Sequence, residues 1–364
     1  MSFPARRDAP AKHKVMPRAI DEAIRVIPTE WFKASPAIYW ADLVASAAIG
    51  WGSFAAGIAS SGWTRVLWLT IATFALYRAV LFIHEITHRA RRDVPAFTFV
   101  WNLLVGVPLL VPSFTYEGVH TDHHRQRSYG TDADPEYIPF GRRSPLVLTG
   151  YVAGSFFAPA IFAFRFAILA PLGWLIPAVG RFVAARCSSL VINHHYVRQA
   201  PIDAAARAQE AGAFAVCWVA ALLWWTGVLP TSAIACYAAV SAIASGINAA
   251  RTLAAHRYDN QSEELSMNEQ LLDSCTISPS SLTDRVAGHV AAGVRSLVAP
   301  VGLRYHALHH WIPSLPYHNL GRAHRLLVTA LTPDAPYGRT IEPGFTPVIR
   351  DLLHRSTAST RDRS

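Results

Sequence analysis

AIYWADLVASAAIGWGSFAAGIAS, residues 37–60, runs for 24 residues with Asp42 as its only charge. As a helix it reaches about 36 Å, enough to cross a bilayer core of about 30 Å with some tilt. After the two-residue turn Ser61-Gly62 comes a second run, WTRVLWLTIATFALYRAVLFI, residues 63–83. So short a turn makes the pair an antiparallel helical hairpin. The pattern returns at Ala213–Leu229, Pro230 and Thr231–Ala250. Both hairpin turns are almost uncharged, whereas the long connections and both ends are rich in Arg and Lys, which puts them on the cytoplasmic side.

The expected architecture is therefore an all-α integral membrane protein with four transmembrane helices in two hairpins and a cytoplasmic helical cap. Its parts are an N-terminal cytoplasmic segment (1–36), the first hairpin (37–84) and a cytoplasmic or interfacial region (85–212). The second hairpin (213–250), a second cytoplasmic region (251–354) and a disordered tail (355–364) follow. Phe97–Val111 is too short to span. Pro145–Phe182 is broken by Arg165, Pro159, Pro171 and Pro177, so it reads as interfacial or re-entrant rather than as a crossing.

Composition agrees. Of 364 residues 52% are hydrophobic and 16% charged, against about 25% charged in an average soluble domain. This excludes a disordered chain and a small disulfide-stapled domain. A net charge of +9 on so apolar a chain faces an anionic leaflet more naturally than nucleic acid. Cys187, Cys217, Cys236 and Cys275 form no CxxC pair and read as small buried hydrophobes. Residues 1–36 lack the apolar core of a cleavable signal.

Sixteen histidines need an explanation, and eight of them fall in three clusters. His84-Glu85-Ile86-Thr87-His88 ends the second apolar run; His120-Thr121-Asp122-His123-His124 and His306-Ala307-Leu308-His309-His310 come later. Spacings of three and four bring side chains onto one helical face. At this histidine content one HxxHH should arise by chance about 0.03 times, yet two occur. Imidazole is the commonest metal ligand, and one ion takes three or four such ligands, so eight call for two ions. Dioxygen activation needs a redox metal; iron is the choice here, with copper left open by the residues alone. His256, just past the fourth apolar run, stands at the depth of His84 and is a ninth candidate. Glu85, Asp122, Asp132, Asp134, Glu136 and Asp273 are placed to accept the second N–H of ligating imidazoles; the plainer alternative is solvated loop charge. His194, His195, His318 and His324 have weaker context and read as solvated or supporting residues.

At these residues the chain resembles the membrane fatty acid desaturases: HEITH, HTDHH and HALHH come in that family's order. Gly130-Thr131-Asp132-Ala133-Asp134-Pro135-Glu136-Tyr137 and Trp311-Ile312-Pro313-Ser314-Leu315-Pro316-Tyr317-His318-Asn319-Leu320 fit the text around its second and third boxes. The resemblance covers residues 37 to 335. It implies a non-haem diiron centre on the cytoplasmic face of a four-helix stem and O2-dependent insertion of a double bond into a lipid acyl chain. It also implies that His256 matches an additional ligand near the end of the fourth helix. One turn earlier the acyl-CoA members place an Asn that holds a metal-bound water; this chain has Thr252 there and Asn248 a turn further back. No His-Pro-Gly-Gly haem motif is present, so the two electrons per turnover are expected from a separate ferredoxin, rubredoxin or cytochrome b5.

Three other readings compete. A diiron hydroxylase, epoxidase or carotenoid ketolase would use nearly the same boxes. HEITH also fits the HExxH of a membrane zinc protease, which leaves the two HxxHH clusters unexplained. A non-catalytic lipid-binding descendant should have lost ligands, and none is missing.

Overall fold

Pro36, its φ already set for a helix, opens α1 (Pro36–Ala59). Gly62 turns the chain at φ +54°, a conformation open to glycine, and α2 (Gly62–Val80) runs back along α1. Past Leu81, α3 (Phe82–His88) carries the first histidine cluster. A stripe of small residues lets α1 and α2 approach closely. A Cβ on Gly50 would lie 2.6 Å from the Leu76 side chain, and one on Gly57 2.8 Å from Leu69. Ser46, Ala47 and Ser53 are buried between them. In lipid, where burying apolar surface gives helices no advantage, such close backbone contact is what holds a pair together.

The computed structural model describes residues 25–278, 285–332 and 335–361, with the side chains of 285–291 and 361 outside that description. Most of the expected N-terminal segment lies outside it as well.

Between the hairpins come α4 (Phe97–Gly106) and α5 (Val119–His124). Trp101 Nε1 donates to the Ala79 carbonyl at 2.7 Å and Trp51 Nε1 to that of Leu104 at 2.8 Å, which pins α4 to the first hairpin. Then follow α6 (Pro145–Ser155), α7 (Ala158–Leu175) and α8 (Pro177–Arg186), and the second hairpin, α9 (Ala204–Trp225) with α10 (Thr231–Thr252).

Five helices among the described residues, rather than four, are long and apolar enough to cross a membrane; the addition is α7. Arg165, counted as an interruption, is buried and neutralised: its guanidinium donates to Glu210 of α9 at 2.6 Å and to Ser188 at 2.8 Å, while Trp174 donates to the other Glu210 oxygen at 2.9 Å. Pro171 follows a π turn over Arg165–Leu169, where the helical hydrogen-bond register is already displaced. The second hairpin also starts earlier than its apolar run, because Asp203 caps α9 and Ala204–Gly212 is rich in good helix formers.

The cap comprises α11 (Met267–Asp273), opened by a Ser266/Glu269 capping box, then α12 (Arg285–Val298), α13 (His306–Trp311), α14 (Tyr317–Ala330) and α15 (Phe345–Arg361). The described residues hold two short strands, β1 (Thr276–Ile277) and β2 (Ile341–Glu342), paired in parallel. The described residues are thus mostly helical, with almost no strand. The disordered tail expected over 355–364 is helical as far as Arg361. Val348, Leu352 and Ser356, at successive helical turns, are buried on one side of α15, and Ser356 Oγ donates to the Arg143 carbonyl.

Histidines from distant parts of the chain meet: His309 Nε2 is 3.0 Å from His88 Nε2, and His306 Nε2 is 2.8 Å from His256 Nε2. The ends of α3, α5, α10 and α13 therefore share one side of any membrane. Since α7, α9 and α10 lie in sequence between His124 and His256, an even number of those three can cross.

Candidate metal centre

The HxxHH spacing explains how two clusters can serve two sites. Adjacent residues in a helix are about 100° apart, so the last two histidines of each cluster diverge while the first and last share a face. His84, His88, His120, His124 and His309 form one group, and His123, His256, His306 and His310 the other. Within each group the candidate donor nitrogens all lie within 4.8 Å of one another. All nine expected histidines are brought together, and the second and third clusters each divide between the groups.

The outward nitrogens show which lone pairs face inward. His120 Nδ1 is 2.6 Å from Glu136 Oε1, and His123 Nδ1 is 2.9 Å from Asp134 Oδ1. Tyr129 donates its hydroxyl proton to Asp273 at 2.8 Å, so its oxygen accepts from His256 Nδ1 at 2.7 Å. With Nδ1–H directed outward on these rings, their Nε2 lone pairs face the interior. There Nε2 of His120 and His124 stand 3.0 Å apart and those of His306 and His310 3.1 Å apart. Lone pairs at that separation repel unless a cation lies among them, so the donor set fits two borderline transition-metal ions such as iron.

Charge follows the same logic. Burial, reinforced by the neighbouring imidazoles, holds His120, His124, His306, His309 and His310 well below the ordinary histidine pKa, leaving them neutral and able to ligate. Burial also lowers His256, with Asp273 opposing it. Burial works against charge on His123 too, but the adjacent Asp134 carboxylate outweighs it and raises the pKa. His123 is thereby the most basic donor of its group.

Two of the expected supporting residues, Asp134 and Glu136, meet a ring directly, and a third, Asp273, acts on His256 through Tyr129. Asp134 is fully buried and also accepts from the backbone N–H groups of Gly130 and Glu136. The others do not reach a ring. Asp122, one residue before His123 and so rotated about 100° from it, accepts from Tyr196 at 2.7 Å and pairs with Arg125. Asp132 accepts from Ser262 at the surface. Glu85 is bonded to Tyr39 and stands 3.9 Å from His84 Nδ1, beyond hydrogen-bond reach. Thr252 gives its hydroxyl proton to the Asn248 carbonyl within α10. Tyr116, Tyr129 and Tyr137 were not singled out in the sequence. Tyr116 braces Glu136 at 2.8 Å, and Tyr129 and Tyr137 together hold Asp273. Tyr137 closes the Gly130–Tyr137 motif, the one signal that could have found it.

A cavity of about 690 Å³ opens onto the centre, with His84, His120, His256 and His306 on its wall. Ile161 and Phe162 of α7 and Gly150 and Gly154 of α6 form an apolar side. The polar side is Asn248 and Arg251, whose side chains are joined at 2.9 Å. Arg251 Nε is buried without a partner among the described residues. His194 lines the cavity but belongs to neither group.

A family model described as "Fatty acid desaturase" matches residues 60–340. The chain is also similar to a protein named "Ceramide hydroxylase" from Caulobacter vibrioides (strain NA1000 / CB15N). The two are 41% identical over 332 residues, which cover 88% of this chain and 89% of the relative. No solved structure matches. A match that runs from α2 through the second hairpin and takes in all three histidine clusters settles the wider relationship: this chain belongs to the fatty acid desaturase family.

Proposed function

We propose that the protein is an O2-dependent lipid hydroxylase whose substrate is a long-chain lipid of the ceramide class, oxidised at a diiron centre held by the nine histidines. The observation that carries the chemistry is the pair of convergent imidazole groups on the wall of a lipid-sized cavity. Two irons bound there would use O2 and two electrons from a separate carrier to place one oxygen atom in a C–H bond and release the other as water.

The chain's own residues set up that reaction. Asp134, Glu136 and the Tyr129–Asp273 pair fix the ring orientations of His123, His120 and His256, so their donor nitrogens are aimed before metal arrives. The α6–α7 wall excludes water from the reacting carbon. Arg251, with Asn248, offers N–H donors to an amide carbonyl or hydroxyl of the lipid, which fixes how far along the chain oxidation falls. A ferredoxin, rubredoxin or cytochrome b5 supplies the electrons, at a centre on the cytoplasmic face.

Hydroxylation is preferred to the double-bond insertion expected from the boxes because the relative named for it aligns along nearly the whole chain. Desaturation is the second reading, supported by the family match. The lipids of a ceramide-containing host expressing the protein, compared with those of a host expressing His123→Ala, separate the two. A His123-dependent ceramide one oxygen atom heavier supports hydroxylation; one two hydrogens lighter supports desaturation. Unchanged ceramides from iron-loaded protein supplied with reductant would refute both.

A further inference from the structure

Away from the cavity and the imidazole groups, the described residues form one strongly basic hollow. It measures about 270 Å³ and lies between α14, the segment leading into α13, and the cytoplasmic end of α2. Arg78, Arg304, Arg322, Arg325 and His318 line it, and no Asp or Glu is among its described lining residues. Arg78 is held by Asp42, and Arg322 lies over the Trp31 ring at 4.3 Å. Arg304 rests against Tyr305. Arg325 has no hydrogen-bond or ion-pair partner among the described residues. His318 Nε2 accepts from the Ser35 backbone at 3.2 Å.

Arg295 of α12 adds a second, independent observation. It lies behind the lining, next to Ser296, is only 8% exposed, and its Nε is buried with no partner among the described residues. Burial, and then the neighbouring Arg304, lower its affinity for its proton. Arg304, Arg322 and Arg325 around one hollow with no carboxylate among its described lining residues make a costly arrangement unless an anion completes it. The fork of an arginine matches the paired oxygens of a phosphate.

The surroundings indicate depth. Val294 and Leu297, on the same helix as Arg295, are about half exposed, at 51% and 49%. An amphipathic helix with an exposed apolar edge and cationic groups behind it lies in the headgroup layer of a bilayer. Arg78 and Asp42 fix the hollow to the ends of α1 and α2, where the stem leaves the membrane.

We infer that this hollow is a binding site for a phosphate group, separate from the oxidation cavity and supplied by an anionic phospholipid or by free phosphate. The segment around residue 304 has two faces: Arg304 and Tyr305 face the hollow, while Leu303 and His306 face the cavity. Occupying the hollow therefore steadies the approach to the third histidine cluster without touching substrate. The site does not depend on whether the enzyme hydroxylates or desaturates.

The test uses the purified full-length protein in non-ionic detergent, titrated with phosphatidylglycerol, with phosphatidylcholine, or with inorganic phosphate, and followed by its thermal midpoint. Wild type should show a saturable rise with phosphatidylglycerol and none with phosphatidylcholine. In Arg304→Gln/Arg325→Gln the half-saturating concentration should rise at least about tenfold. The same contrast with inorganic phosphate alone would assign the site to the free ion. Arg295→Met guards against a variant that simply folds badly: it should raise the midpoint without ligand, by removing an unpaired buried charge, while weakening the anion response. Equal anion responses in wild type and both variants would overturn the assignment. So would a double variant that loses only the binding of an acidic redox carrier.

Discussion

Asp134 never reaches the cavity, yet it fixes the orientation and basicity of His123. Replacing it with Asn keeps the shape and removes the charge, so iron affinity should fall about 10- to 100-fold while the protein still folds. Metal analysis of the purified variant checks this, and full iron content would contradict it. His324 predicts a pH effect outside the centre. Burial, with Arg304 and Arg325 nearby, pulls its pKa from the ordinary 6.5 down to about 4, and its neutral ring is bonded to Tyr337 and Ser278. A pKa lowered on folding adds stability above about pH 6.5 that is lost as the pH falls towards 4. Wild type should therefore lose more of its thermal midpoint across that interval than His324→Gln; parallel curves would refute the assignment. At this scale spacing revealed the eight clustered candidate ligands, because helical periodicity fixes which residues share a face, while the lone His256 was found by its place past the fourth apolar run. The supporting tyrosines were hidden: their partners lie on other segments, as with Tyr129 and Asp273, and no local pattern encodes such a meeting.

Hydropathy made the first hairpin legible because α1 and α2 are apolar all round and meet through small residues. It failed where polarity is cancelled by a partner elsewhere. Arg165 looked like an interruption until Glu210 came to meet it, and the last turns of α15, from residue 355, looked like a polar tail because the buried stripe reaches into them only at Ser356. On α6, Gly150 and Gly154 stand one turn apart on the cavity wall, and a Cβ on either would meet nothing within 4 Å. Gly154→Phe should thus fill the cavity without straining the helix. The expected outcome is turnover reduced on the order of 100-fold with iron content unchanged, since a displaced chain no longer presents its carbon to the centre. Wild-type activity towards a long-chain lipid in this variant would show that substrate takes another route.

For the whole molecule, the meeting of His88 with His309 and of His256 with His306 restricts how the chain threads the bilayer. If α1, α2, α9 and α10 cross while α7 lies along the interface, both ends and the histidines fall on one side, the topology we propose. A reporter after Ser364 and one inserted at Gly62 should then face opposite sides of the membrane, and a third at Ile176 should face the side of Ser364. The same side for Gly62 and Ser364 would require a different number of crossings. One consequence of the divided clusters concerns the order in which the protein is made. Neither group of imidazoles has its full set of donors until His306, His309 and His310 have been synthesised. Translation will have delivered both hairpins to the membrane by then, with the earlier histidines still waiting. Any metal loading is therefore a late step of maturation, and a chain that stops short of residue 306 lacks three of the nine imidazoles that the two groups bring together.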